Sequence, residues 1–365
     1  MKLLLTGDIS PTYVTNPLFE KMDISTLFTD TRQLFRGNDF VFANLECALT
    51  SCETPIRKIG PALKAAPQTA QTLKTLGVTH CGLSNNHVFD FGGTGIRDTL
   101  AALDGAGLGY TGFGNNYKDA RKNLILESNG ERVCIIAVCE HEYSYALPDR
   151  MGSRPYDPYH TLEDIRKGKD CADKVLVIYH GGKEFCKYPS PRLYQICHAM
   201  ADNGADLILC QHSHCIGCYE YYNQCHILYG QGNFHFVMPR EEEGWNSGLA
   251  VRYDTGSNEL EFVFCVSGDR GITLAKGQER QRLLKEFEQR NHALQSGEWK
   301  GGWHLFCEEN RKGYVERLTK ALSPDATEEE KAIFGHYLDC EAHFDLIREL
   351  FPTANQTNEL PPVPR

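Results

Sequence analysis

Residues 207–214 read Leu207-Ile208-Leu209-Cys210-Gln211-His212-Ser213-His214, an apolar run that leads directly into two histidines. A continuous aliphatic run is typical of a strand that is covered on both faces of a parallel sheet. Two imidazoles that lie two residues apart on an extended segment can reach one centre from the same side. The stretch therefore predicts a ligand site at the carboxyl end of a buried strand.

Five further stretches end in residues that bind metals. They are Thr6-Gly7-Asp8, Asn44-Leu45-Glu46, Ser84-Asn85-Asn86-His87, His180-Gly181-Gly182 and Gly232-Asn233-Phe234. Several of them follow strand-like runs, such as Leu3-Leu4-Leu5 and Val175-Leu176-Val177-Ile178. Carboxylate, amide and imidazole groups that separate strands deliver to one edge of a sheet outline a metal centre.

Strand-like and helix-like segments alternate over residues 1–270, which predicts an α/β sheet protein with crossover helices. The predicted helices in this part are Asn16–Phe35, Pro67–Leu76, Thr94–Ala106 and Pro191–Asn203. Residues 271–351 are charged, with apolar residues at helical spacing, and predict a helical extension. We expect it to pack on the sheet domain, with dimerisation or a substrate lid as alternatives. Residues 352–365 are rich in proline and predict a disordered tail.

Composition excludes some classes of protein. The chain has 365 residues and a net charge of −10, with no evident basic face for a nucleic acid. A specific anionic substrate stays compatible, because a bound metal can outweigh the overall charge. No transmembrane segment or export signal is recognisable, and the fifteen cysteines then predict reduced thiols and a cytoplasmic location.

The acidic and amide residues at the first two strand ends each allow two interpretations. Asp8 is placed either to bind a metal or to cap a helix. Asn44 and Glu46 share one face of their strand, because side chains alternate with a period of two. Glu46 can bind a metal or hold a metal-bound water, and Asn44 can donate to a substrate oxygen. A solvated strand end is the alternative for this pair.

The histidines allow alternatives as well. The carbonyl oxygen of an asparagine next to His87 can bind a hard cation, and His87 itself can protonate a leaving group. The alternative for this stretch is a turn with a helix cap. His180 is either a ligand, which the following glycines would allow to approach closely, or a core histidine. Cys215 and Cys218, with the neighbouring histidines, could instead form a closed structural zinc site.

The order Gly-Asp, Asn-Leu-Glu, Asn-Asn-His, His-Gly, His-x-His and Gly-Asn-Phe resembles the CapA capsule-synthesis family, also called the poly-gamma-glutamate synthesis family. That family belongs to the calcineurin-like metallophosphoesterase superfamily. Asp90-Phe91-Gly92 and Gly204-Ala205-Asp206 agree with it too, and the likeness covers about residues 1–240.

The resemblance implies a four-layer α/β/β/α sandwich with a metal centre at the strand ends. It implies one or two divalent ions, such as manganese, zinc or iron. The implied ligands are Asp8, Glu46, Asn86, His180, His212 and His214. His87 is implied as the general acid or a substrate contact. Asn44 is the second expected catalytic residue, as a donor to a substrate oxygen, and the expected substrate-binding residues are Asn85, Lys58 and Lys64.

These observations lead to a hypothesis of metal-assisted hydrolysis of a small or polymeric anionic substrate. The superfamily suggests a phosphoester, and the family name suggests a polyglutamate-like amide. The alternative is a protein without catalysis that binds a polyanion for a capsule or poly-gamma-glutamate synthesis machine.

Overall fold

The structure of the protein is a computed structural model that describes residues 1–140, 143–242 and 244–352. The strands in these residues, numbered β1 to β18 in chain order, are Lys2–Ile9, Phe40–Leu45, Ala48–Leu49, Lys64–Ala65, His80–Gly82, Gly109–Thr111, Phe113–Gly114, Leu124–Ser128, Glu131–Cys139, Gly152–Ser153, Lys174–His180, Leu207–Gln211, Tyr219–Tyr222, Cys225–Leu228, Asn233–His235, Ser247–Asp254, Glu259–Ser267 and Ile272–Leu274. The helices, numbered α1 to α11, are Asn16–Glu20, Ile24–Phe28, Thr69–Leu76, Gly92–Ala106, Tyr117–Ala120, Pro158–Cys171, Pro191–Asp202, Gly277–Ser296, Trp299–Ala321, Glu328–Asp339 and Glu341–Leu350.

Two large sheets carry the fold. The first has the strand order β18-β17-β16-β1-β2-β5-β6, with β15 as a further neighbour of β1. Its strands β1, β2, β5 and β6 run parallel, whereas β16 to β18 are antiparallel additions. The second sheet has the order β13-β14-β12-β11-β9-β8, with four parallel central strands and antiparallel edges. Parallel strands end at one edge, so each sheet delivers several loops to the same place.

Alternating side chains place the two sheets face to face. Leu3 and Leu5 of β1 belong to the core between the sheets, whereas Leu4 faces the opposite way, toward the helices. In β11, Ile178 belongs to the core between the sheets and Val177 to the core beneath the second set of helices. Because successive residues of a strand point to opposite faces, an unbroken apolar run suits a strand buried on both sides.

Helices cover both outer faces of the paired sheets. The first sheet packs on α1 to α4, through residues such as Phe19 and Leu73, and the second on α6 and α7, through Ile165 and Leu193. The four-layer α/β/β/α sandwich that the resemblance implies is therefore confirmed, with helices following it in the chain.

The predicted helix Asn16–Phe35 is wrong, because the structure divides it into α1, α2 and a short 3₁₀ helix at Thr31–Phe35. Met22 adopts a φ of 55°, which no α-helix can contain. Asp23 then caps α2, since its side chain accepts a hydrogen bond from the Thr26 N–H at 3.1 Å. The cap at Asp23 therefore starts a separate helix, although the apolar periodicity of the sequence predicts a continuous one.

The helices after residue 276 pack in two ways. Leu283 and Phe287 of α8 join the core between the sheets. Trp303, Tyr314 and Leu346 belong to a separate core that α9, α10 and α11 build among themselves. No helix of the described residues is long and apolar enough to cross a membrane. The division at residue 270 stays a prediction, and of the predicted disordered tail all but Pro352 lies outside the described residues.

Candidate metal centre

The carboxyl ends of strands from both sheets meet at one point. Asp8 of β1 lies opposite Asn44 of β2 in the first sheet, and His180 lies opposite Gln211 in the second. Gly7 allows the loops to approach, because a Cβ atom at this position would lie 2.6 Å from the Gly232 carbonyl oxygen. Predicted ligands that are far apart in the sequence are thereby brought into contact.

Two groups of possible ligands share the carboxylate of Glu46. One consists of Asp8, Glu46 and His180, and the other of Glu46, His212 and His214; within each group the ligand atoms lie within 4.8 Å of one another. All five side chains are buried. A carboxylate between two sets of imidazole and carboxylate ligands is an arrangement that suits a pair of divalent ions.

The carboxylate of Glu46 lacks hydrogen-bond donors among the described residues. Its carboxylate is fully buried, and neither oxygen accepts a hydrogen bond from the described residues. His180 Nε2 lies 3.4 Å from its Oε1 atom. Burial raises the pKa of Glu46, although the nearby His214 opposes the rise. A buried carboxylate is costly unless a cation compensates it, so this residue fits a metal ion.

Asp8 is held in place by its neighbours. Asn44 Nδ2 donates to its Oδ1 atom at 2.7 Å, and the His212 N–H donates to Oδ2 at 3.1 Å. Burial first, and then the charge of Glu46, raises the pKa of Asp8 to about 6. Asn44 is itself buried behind the ligands, where it positions Asp8; its predicted contact with a substrate oxygen stays a prediction.

Asn86 reaches the same place from the loop after β5. Its Oδ1 atom lies 2.9 Å from His180 Nε2, so the two side chains converge as the predicted ligand set requires. Asn85, predicted to contact substrate, is fully buried. Its Oδ1 atom accepts from the backbone N–H groups of His87 and Val88, at 3.1 and 2.9 Å. Asn85 therefore shapes the turn that presents its neighbours, and the substrate contact stays a prediction.

The extended segment predicted for the two histidines after β12 is wrong. His212 and His214 have φ angles of 81° and 53°, in the left-handed region. Such angles cost about 1–3 kcal/mol per residue and persist where the surroundings impose them. The contact of Asp8 with the His212 backbone and the 2.9 Å contact between His214 Nδ1 and Asn233 Oδ1 supply that restraint. The imidazoles converge through this strained turn, which a strand pattern does not reveal.

His87 lies beside the ligands in a small charged cluster. Its Nδ1 atom donates to Asp90 Oδ2 at 2.7 Å, which leaves Nε2 available to a substrate. Lys58 Nζ lies 2.5 Å from Asp90 Oδ1 and 3.3 Å from His87 Nδ1. Burial and the charge of Lys58 lower the pKa of His87, while Asp90 opposes this shift. The cluster suits a proton-transfer group whose orientation is fixed.

A cavity of about 390 Å³ opens next to these residues. Asn86, His87 and His212 line one part of it, and Lys58 lies at its wall as expected for a substrate contact. The structure does not bring Lys64 to this cavity, since its Nζ donates to Cys52 O at 2.8 Å and Glu53 Oε1 at 2.7 Å.

The alternative zinc site does not form. In the part of the chain that the structure describes, neither Cys215 nor Cys218 belongs to a group of three ligands that could hold a metal. Cys218 lies in the core beneath α7, and Cys215 Sγ donates to the Cys186 carbonyl at 3.4 Å. Both act as buried small side chains.

Several contributors were not among the predicted site residues. Asp90 and Asn233 orient His87 and His214, and both stood within motifs that the sequence shows. Arg317, His336 and His343 of the C-terminal helices also line the cavity. No sequence signal separates them from ordinary solvated helix residues, because their placement depends on how the extension packs.

Comparisons with known proteins place this site in context. The family model described as bacterial capsule synthesis protein PGA_cap matches residues 2–238. The chain is 30% identical over 278 residues to the capsule biosynthesis protein CapA of Bacillus anthracis, with 72% of this chain and 66% of that protein covered. It is 29% identical over 245 residues to the PGA biosynthesis protein CapA of Bacillus subtilis strain 168, with coverages of 66% and 63%.

A probable polyglutamine synthesis accessory protein of Mycobacterium tuberculosis is 28% identical over 211 residues, with 54% of this chain and 55% of that protein covered. The chain thus spans about two thirds or less of the length of these relatives. Among solved structures, a hypothetical protein from Thermus thermophilus matches with a TM-score of 0.42 and 15% identity over 75% of this chain and 97% of that one. A 5′-nucleotidase from Candida albicans matches with a TM-score of 0.41 and 9% identity over 79% and 58%.

Proposed function

The chain belongs to the bacterial capsule synthesis protein family whose model it matches, and on that premise we propose that it is a metal-dependent hydrolase of an anionic substrate. One observation carries the proposal: the buried Glu46 carboxylate belongs to both groups of ligands and accepts no hydrogen bond from the described residues. A buried carboxylate is costly when charged, and cations held by these two groups would compensate it.

The residues present fit one or two divalent ions such as manganese, zinc or iron. Asp8, Glu46 and His180 would hold one ion with the help of Asn86, and Glu46, His212 and His214 would hold the other. The bound ions would polarise the substrate and lower the pKa of a water molecule. Asn44 and Asn233 keep the ligands oriented, since each hydrogen-bonds one of them.

His87 is proposed to deliver a proton to the leaving group. Asp90 accepts from Nδ1, so the ring is fixed with Nε2 as the atom that exchanges protons with the substrate. An anionic substrate beside the ring favours its protonated form, because opposite charges attract. Lys58 would contact the same anion from the cavity wall.

The substrate class is an anion, either a phosphoester or an amide of a polyglutamate-like chain, small or polymeric. Two of the relatives carry names that refer to capsule or PGA biosynthesis and a third is named as a polyglutamine synthesis accessory protein, which supports the second choice. A nucleic acid is not proposed, since the chain carries a net charge of −10. A cytoplasmic location stays a prediction.

Metal analysis combined with hydrolysis assays tests the proposal. The purified protein is loaded with manganese and given p-nitrophenyl phosphate, bis-p-nitrophenyl phosphate and an oligomer of γ-linked glutamate. We expect bound metal and turnover of at least one compound; His212→Ala should abolish turnover and weaken metal binding at the group that contains His212. His292→Ala, which changes an exposed histidine of α8, is the matched control. Turnover that survives in His212→Ala would overturn the assignment.

A protein that binds a polyanion without hydrolysing it is the second candidate. The word "accessory" in the name of the mycobacterial relative favours it. It predicts binding of the glutamate oligomer, and no release of free glutamate even with excess manganese.

A further inference from the structure

The C-terminal helices form a second wall of the cavity at the metal centre. Asn86, His87 and His212 line one part of it, and residues of α9, α10 and α11 and of the segment between the last two line another part. The residues from these helices are Arg317, Ile333, His336, Tyr337, Cys340, Ala342 and His343. The extension is therefore part of the site, although the family model ends at residue 238.

This wall is basic. Arg317 is exposed at the cavity and takes part in no ion pair within residues 1–140, 143–242 and 244–352. Its Nη1 atom donates to the Tyr337 hydroxyl at 2.6 Å, which leaves other guanidinium N–H groups available. His336 and His343 lie beside it, with ring centroids 4.9 Å apart. In a chain with a net charge of −10, these hydrogen-bonding groups and the Arg317 cation lie together at a cavity that Glu184 also lines.

Aromatic contacts hold the wall against the catalytic side. The ring of Tyr143 stacks on His336, with centroids 5.6 Å apart, and Tyr337 stacks on His343 at 4.5 Å. The Tyr143 hydroxyl accepts a hydrogen bond from the Ile59 N–H at 3.1 Å, in the loop that carries Lys58. These contacts restrain the two imidazoles and the tyrosine that hydrogen-bonds Arg317, which favours a pre-organised binding subsite.

We infer that Arg317, with His336 and His343, forms a subsite for a second anionic group of the substrate, in the same cavity as the metal centre. The inference rests on the proposed function, because the first anionic group would lie at that centre. A cavity of about 390 Å³ accommodates a ligand with two separated charges. The substrate would be a molecule with two or more carboxylate or phosphate groups, and an arginine fork suits either.

Calorimetry on the full-length, manganese-loaded protein tests the subsite without requiring turnover. The probes are an oligomer of γ-linked glutamate, a butanediol bisphosphate, and phenylphosphonate as the ligand with a single anionic group. We expect Arg317→Gln to weaken binding of at least one of the first two about tenfold and to leave phenylphosphonate unchanged. Loss for the glutamate oligomer supports a polycarboxylate substrate, and loss for the bisphosphate alone supports a phosphorylated one.

Three variants separate charge from structure. Arg317→Lys keeps the cation and should recover most of the binding. Lys312→Gln is the control, because it changes an exposed charge on the same helix. Tyr337→Phe removes the hydrogen bond to Arg317 but keeps the cation. A change of less than about twofold in Arg317→Gln would overturn the subsite. Equal weakening of phenylphosphonate, or no binding of either two-charge probe by the unaltered protein, would overturn it too. If no compound is hydrolysed but Arg317 still governs binding, the hydrolase proposal fails and the subsite stands.

Discussion

Arg192 of α7 donates from Nε to both carboxylate oxygens of Asp345 in α11, each at 2.9 Å. Its Nη2 atom donates to Glu140 Oε1 at 2.5 Å, and Glu140 Oε2 accepts from the Gly182 N–H at 2.8 Å. Gly182 lies two residues after His180, a proposed metal ligand. One guanidinium therefore connects the C-terminal extension to the loop that carries the metal centre.

We expect Arg192→Gln to lower the free energy of unfolding by about 3 kcal/mol, because it leaves two buried carboxylates without their cation. Urea denaturation measures this. Arg252→Gln is the control, since its ion pair with Glu261 is exposed and should contribute less than about 1 kcal/mol. Equal effects of the two substitutions would show that the connection through Arg192 contributes no special stability.

The shared position of Glu46 predicts how metal content responds to substitution. Glu46→Gln should weaken metal binding at both groups by more than about a hundredfold, since the ligand charge is lost while the shape is kept. His214→Ala should weaken binding only at the group that contains it, so a protein with two ions would retain one. Elemental analysis after loading and desalting gives the ratio. Glu288→Gln, at an exposed position of α8, should change nothing.

Asp8 makes the free energy of unfolding of the metal-free protein depend on pH. Because burial raises its pKa from 3.8 to about 6, the folded state binds this proton more tightly than the unfolded chain. The stability that the protonated Asp8 carboxyl contributes is fully present at pH values below its pKa in the unfolded chain. This contribution is lost as the pH rises through its pKa in the folded state. We expect the unfolding free energy of the unaltered protein, relative to Asp8→Asn, to fall by about 2 kcal/mol between about pH 4 and about pH 7.

Chelator-treated samples of both proteins, unfolded in urea across that range, provide the measurement. A difference that stays flat, or that grows with pH, would mean that the pKa of the Asp8 carboxyl is not raised in the folded state.

Asp90 is predicted to act through His87. Asp90→Asn should lower kcat about tenfold to a hundredfold and leave the metal content unchanged, because it replaces the charged acceptor that orients the imidazole with a neutral amide. The pH profile of kcat should shift as well, which a purely structural role would not produce. Asp325→Asn, at an exposed position between α9 and α10, is the charge-matched control. Loss of metal in Asp90→Asn would instead place this residue among the groups that hold the ions.

The sequence alone predicted a parallel α/β sheet protein with candidate ligands at its strand ends, and the family resemblance implied the four layers and the ligand set. Runs such as Val175–Ile178 are apolar throughout, which favours a parallel strand covered on both faces, and ligand sites form at the carboxyl ends of such strands. Asp8, Glu46, His180, His212 and His214 are predictable as candidate ligands for that reason, with a helix cap, a solvated strand end or a core histidine as the alternatives. Their chemistry is set locally, by residue type and position in the strand.

Only the tertiary structure decided how these groups are arranged. The left-handed turn at His212 and His214 depends on Asp8 and Asn233, which lie far away in the sequence. The position of His343 at the cavity depends on the docking of α11, to which Arg192 and Asp345 contribute, and Arg317 reaches the same cavity from α9. Such long-range contacts leave no periodic pattern, because each is formed by single residues whose partners are chosen by packing.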